Sequence, residues 1–61
     1  MSYEIGNYVQ VTNHSEPECN GQYGVIESIQ IAYDGYTYYY NVKLEDSDTL
    51  CVCIDDELME G

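Results

Sequence analysis

Between Tyr36 and Leu44 runs the longest stretch of strand-forming residues in the chain, Tyr36-Thr37-Tyr38-Tyr39-Tyr40-Asn41-Val42-Lys43-Leu44. Its second half alternates. Tyr38, Tyr40, Val42 and Leu44 fall on one side of an extended backbone, and Thr37, Tyr39, Asn41 and Lys43 on the other. A period of two over this length reads as a half-buried strand. Such a strand needs partners on its edges, so it is expected to be the centre of a sheet. It also carries the only Lys and four of the eight Tyr.

The rest of the chain supplies those partners. Gly6-Asn7 reads as a turn leading into a strand with Val9 and Val11 on one face. Thr12 to Asn20 is polar, holds the only Pro and reads as a long loop. Gly21 and Gly24 suggest positive φ or a bulge. Val25 to Ala32 is the next strand, with Ile26 inward and either Ile29 or Ile31 continuing the core after a kink. Asp34-Gly35 is the strongest hairpin signal. Glu45 to Thr49 is an acidic turn. Leu50 to Ile54 alternates again, with Leu50, Val52 and Ile54 sharing one face and Cys51 and Cys53 the other. Asp55-Asp56-Glu57-Leu58 reads as one helical turn capped by Asp55, with Leu58 dropping into the core. Met59 to Gly61 suits a short last strand. Four strands and a terminal piece predict an all-β domain, a five-stranded meander curled into a small barrel that hides its edges.

With 61 residues there is one domain and one core. A chain this short buries only about 60% of the surface it exposes when unfolded. It has little room for a deep water-excluding cleft, which argues against an enzyme. Charge is its outstanding feature: twelve acids face one base, a formal −11, and seven of the acids lie between Glu45 and Glu60. Solubility alone does not call for the loss of nearly every base, because mixed charges serve as well. Direct nucleic-acid binding is disfavoured, since it requires Lys and Arg to displace counterions. A basic protein partner fits the field instead.

Three Cys cannot all pair within one chain, and Cys19, Cys51 and Cys53 read as reduced thiols of a cytoplasmic protein. Neither a leader at Met1-Ser2-Tyr3-Glu4 nor an apolar stretch able to cross a bilayer is visible, so no membrane association is expected. In a reducing compartment the sequon Asn13-His14-Ser15 has no use. His14 with the three Cys could form a zinc set, but the Cys-x-x-Cys spacing of a zinc knuckle is missing. The thiols read better as small semi-buried hydrophobes, so no metal or other cofactor is expected. His14 beside Ser15 cannot make a catalytic triad, and the 45–48 acids lack the spacing of a calcium loop.

The order of motifs resembles SH3-like barrels with a KOW-type glycine turn. The matching pieces are Ile5-Gly6-Asn7-Tyr8-Val9-Gln10-Val11, then Gly21-Gln22-Tyr23-Gly24-Val25-Ile26, then Tyr40-Asn41-Val42-Lys43-Leu44, and last Asp56-Glu57-Leu58. Small uncharacterised phage and prophage proteins also look like this. The resemblance implies a five-stranded SH3-like barrel with a short 3-10 turn before the last strand. It does not carry RNA binding over, because the bases that such barrels place around the glycine turn are missing here. Related barrels hold methylated Lys or Arg in aromatic cages, for which Tyr23, Tyr33, Tyr36 and Tyr39 with Asp34 are the candidates.

These readings combine into an expected function. The chain is expected to be a non-enzymatic acidic protein-binding module, a phage or mobile-element inhibitor in the cytoplasm of a bacterial host. As a partial DNA mimic it would dock on a basic, nucleic-acid-binding surface of a host defence or regulatory protein. Glu45, Asp46, Asp48, Asp55, Asp56 and Glu57 are the expected charge contacts, and Tyr36 and Tyr39 the expected anchors. The alternative is a structural or accessory domain that self-associates, as a homodimer for instance, through its Tyr-rich sheet.

Overall fold

The structure, a computed structural model, describes residues 3–61. The leader-free reading of Met1 and Ser2 lies outside them. Five strands form one antiparallel sheet: β1 (Tyr8–Val11), β2 (Tyr23–Ile31), β3 (Tyr38–Leu44), β4 (Leu50–Cys53) and β5 (Leu58–Glu60). Their order across the sheet is β4-β3-β2-β1-β5. The first four strands are a meander, and β5 returns to pair with β1. A 3-10 turn, Asp55–Glu57, leads into β5. Among the described residues no helix is long and apolar enough to cross a membrane.

The alternation in β3 sorts its residues as expected. Tyr40, Val42 and Leu44 are buried, Tyr38 is half-buried, and Lys43 is exposed. The register carries this inner face across the sheet in two rows, Ile26–Val42–Cys51 and Ile29–Tyr40–Cys53. Val9, Val11, Cys19 and Leu58 complete the core, and the Tyr3 ring meets Tyr40 edge to face at 5.6 Å. In β4 the cysteine side is the buried one, and Leu50 and Val52 face out.

A β-bulge settles the parity of β2. The register slips between Ile26 and Ser28, so Glu27 is the extra residue. Without the slip, Ile26, Ser28 and Gln30 would share the inner face. With it, Ile29 takes the place opposite Tyr40, a gain of about 2 kcal/mol for an isoleucine side chain moved toward the core. Ile31 has the same parity but lies beyond the end of the core, 60% exposed.

One turn and one glycine depart from expectation. The 3-10 turn is not capped by Asp55. Glu57 reaches back instead, and its Oε1 accepts the Ile54 N–H at 3.0 Å. Of the glycine pair, Gly21 has φ +84°, whereas Gly24 is a buried strand residue needed for close approach to β3.

The larger departure concerns the cysteines. Cys19 and Cys51 form a disulfide, and Cys53 is the buried free thiol. The expectation of three reduced thiols therefore fails. It came from counting alone, and an odd count does not prevent two of the three from pairing. With it goes the ground for expecting a reducing compartment and for dismissing the Asn13 sequon. The disulfide ties loop 12–22 to β4. A second tie lies beside it, His14 Nε2 to the Val52 carbonyl at 2.9 Å. The outer edge of β4 is thus met by the loop.

Candidate functional site

Eleven of the twelve acids are exposed and Glu57 is half-buried; among the described residues no charged side chain is buried. Burying a carboxylate without a partner is prohibitively costly, and one base cannot partner twelve acids. The fold therefore displays the whole charge. Lys43 stands on the outer face between Glu27 at 3.9 Å and Asp48 at 3.8 Å. Such long, exposed ion pairs neutralise little of the surrounding field.

The expected contact residues fall into two groups, on the turns either side of β4. Glu45, Asp46 and Asp48 sit on the β3–β4 turn, where Asp48 adopts φ +56° and its N–H donates to the Leu44 carbonyl at 3.3 Å. Asp55, Asp56 and Glu57 sit on the 3-10 turn at the other end of β4. Four strand residues set the groups roughly 13 Å or more apart. Glu45 is held in place, since the Tyr8 hydroxyl donates to its Oε1 at 3.0 Å. Desolvation and the adjoining Glu45 carboxylate push the Tyr8 phenol above its ordinary value, so it remains a donor. Glu57 already serves as the cap of its turn and is the least available of the six.

The expected anchors lie at the tip of the β2–β3 hairpin. Tyr36 is 87% exposed and Tyr33 wholly so, while Tyr39 is close to half-buried on the outer face. A shallow groove there is lined by Gln30, Ile31, Ala32, Tyr33 and Tyr39. Asp34 organises the tip. Its Oδ1 accepts the N–H groups of Tyr36 at 2.8 Å and Thr37 at 2.9 Å, and its Oδ2 accepts the Thr37 hydroxyl at 2.8 Å. The backbone bonds from Thr37 and Tyr36 hold its carboxyl below the ordinary value. The suggested cage does not assemble. Tyr23 begins β2, a strand's length from the tip, and stacks on Tyr8 at 5.7 Å.

Glu16 and Glu18 were not among the expected contacts, yet they join the display. They line a second open groove with His14, Cys19, Thr49, Leu50 and Val52. Their place follows from the disulfide, so a correct pairing of Cys19 with Cys51 was the signal that would have found them. The disulfide also removes two of the four groups of the suggested zinc set. His14 has both ring nitrogens engaged: Nδ1 accepts the Glu16 N–H at 3.0 Å, which leaves Nε2 to donate to Val52. Burial, and then the neighbouring Glu57, push the Cys53 thiol up to about 12.

Fold and surface together define a small antiparallel all-β domain whose exposed charge is almost all of one sign. Comparison with protein-family models, curated proteins and solved structures returns no match.

Proposed function

We propose that the chain is a non-catalytic protein-binding module that docks by charge on a basic, nucleic-acid-binding surface of another protein. The observation that carries this reading is the complete display of the acids around a single, already paired Lys43. Carboxylates in two groups at either end of β4 spread negative charge over roughly 13 Å or more of the surface. They steer a basic partner and raise its rate of association. Tyr36 and Tyr33 at the hairpin tip supply area that can be desolvated, as interface anchors require. In its fuller form the reading is that of a mobile-element inhibitor acting in a bacterial cytoplasm as a partial DNA mimic. The fold in this reading is an SH3-like barrel, supported by the strand order and by the loop that meets the free edge of β4 through Cys19 and His14.

Competition is the test. The immobilised chain should retain a basic DNA-binding protein at low salt, release it steeply as salt rises, and lose it to added duplex DNA. Retention of no basic protein at low salt would sink the reading, as would retention indifferent to DNA.

A second reading, self-association, has its own support. A row across the outer face, Tyr8–Val25–Lys43–Leu50, is largely apolar and exposed, and Val52 lies nearby. A dimer formed on this face would persist in high salt. Sedimentation showing a monomer at both low and high salt would remove it.

A further inference from the structure

We propose that His14, Cys53 and Glu57 form a binding site for one divalent transition-metal ion of the zinc class, where loop 12–22, β4 and the 3-10 turn meet. A ring nitrogen, the Cys53 Sγ and a carboxylate oxygen lie within 4.8 Å of one another. Bonds in a zinc site are about 2.0–2.3 Å long, which puts tetrahedral donors roughly 3.3–3.8 Å apart. Side-chain movements of ~1 Å close the gap. The mixture of nitrogen, sulfur and oxygen donors selects the zinc class over calcium or magnesium, which take oxygen ligands. Three protein donors leave a fourth position for water or a ligand from a partner.

The surroundings orient two of the donors. The Ile54 N–H fixes Glu57 Oε1. With Nδ1 accepting the Glu16 N–H, the His14 Nε2–H donates to the Val52 carbonyl. Metal-bound histidines generally donate their second ring nitrogen to a carbonyl or carboxylate. Coordination through Nδ1 gives up the bond from the exposed Glu16 N–H and keeps the Val52 contact, whereas coordination through Nε2 gives up the Val52 contact.

Cys53 supplies the softest of the three donors. It is fully buried beside a carboxylate, and the only Lys lies on the opposite face of the sheet. A dication takes the thiolate as a ligand, sends the thiol proton to solvent, and offsets both negative groups. The net charge of −11 raises the local concentration of any cation. Neither the docking reading nor the self-association reading is needed for this inference.

The test is a cobalt(II) titration of the purified chain, with the Cys19–Cys51 disulfide intact and no thiol or chelator present. One equivalent should bind with a thiolate-to-cobalt charge-transfer band, and added zinc should bleach it. Cys53→Ala should abolish the band. His14→Ala and Glu57→Gln should each weaken cobalt binding roughly tenfold or more. Gln keeps an acceptor for the Ile54 N–H, so Glu57→Gln remains folded and decides the matter if Cys53→Ala does not fold. The proposal is overturned if the intact chain gives no charge-transfer band at millimolar cobalt. A band that survives in Cys53→Ala overturns it too, as does affinity unchanged in both other variants.

Discussion

Gly24 has no room for a side chain. A Cβ there would run into the Lys43 backbone carbonyl and stand 2.9 Å from Val42 Cγ1. Backbone cannot move aside without breaking the β2–β3 ladder, so Gly24→Ala should destabilise the domain by about 1–3 kcal/mol. A urea midpoint equal to that of the parent would contradict this. Gly21, with φ +84° and open space around it, should fail for conformational rather than packing reasons. Asp34 gives a pH dependence. Its folded-state value is lowered by the amides it binds, so its contribution is present above the ordinary value of 3.8 and lost as pH falls through the lower folded one. The protection of the Tyr36 and Thr37 amides relative to the intrinsic exchange rate at each pH should therefore fall below about pH 4 while that of the core amides holds. Protection that is flat across this range would show that the carboxylate does not organise the tip. The sequence showed Asp34-Gly35 as a turn because local chemistry makes that turn. It could not separate the roles of Gly21 and Gly24, because one answers to its own φ and the other to a strand distant in sequence.

Elements were legible wherever their pattern was local. The alternation of β3 sorted Tyr40, Val42 and Leu44 into the core, and Leu58 followed the 3-10 turn inward as expected. In β2 the kink was visible from the clash of parity between Ile26 and Ile29, but its outcome needed the length of the core, which leaves Ile31 outside. Long-range pairing was not legible. Cys19 lies in a polar loop, and nothing near it announces that the loop folds over β4. The disulfide spans 32 residues. Closing a loop of that size in the unfolded chain corresponds to about 4 kcal/mol. Total stability for a domain of this length is about 3–9 kcal/mol. Reduction should therefore cut the unfolding free energy by a large fraction and free the Glu16–Glu18 segment from β4. Urea unfolding with and without reductant measures it, and coincident curves would mean that the strand contacts hold the loop unaided.

At the scale of the whole molecule, the charge was plain from composition, whereas its arrangement depended on the fold. The alternation of 50–54 already put Glu45–Asp48 and Asp55–Glu57 at opposite ends of a strand, but the sequence could not reveal that Glu16 and Glu18 join them. Nor could it tell that Glu57 caps a turn. The same charge sets a measurable property of the folded state. Two effects of salt oppose each other. Screening weakens the attraction of Lys43 for Glu27 and Asp48, but pairs this long and exposed contribute about 0–1 kcal/mol. Screening also relieves repulsion among an excess of eleven negative charges held on one small surface, which the more expanded unfolded chain feels less. Repulsion wins because it involves many pairs within about one Debye length, whereas attraction involves two. Raising sodium chloride from about 10 mM to about 500 mM, across which screening becomes strong, should stabilise the domain by about 1 kcal/mol. That corresponds to a rise in Tm of about 4–8 °C. Replacing Glu45 and Asp46 with Gln and Asn should reduce the slope, since fewer like charges remain to be screened. Measurements at two protein concentrations separate this effect from self-association, which would make Tm depend on concentration. A Tm that falls with salt would mean that Lys43 and its two partners outweigh the rest of the surface, and the acidic display would then be held by attraction rather than strained by repulsion.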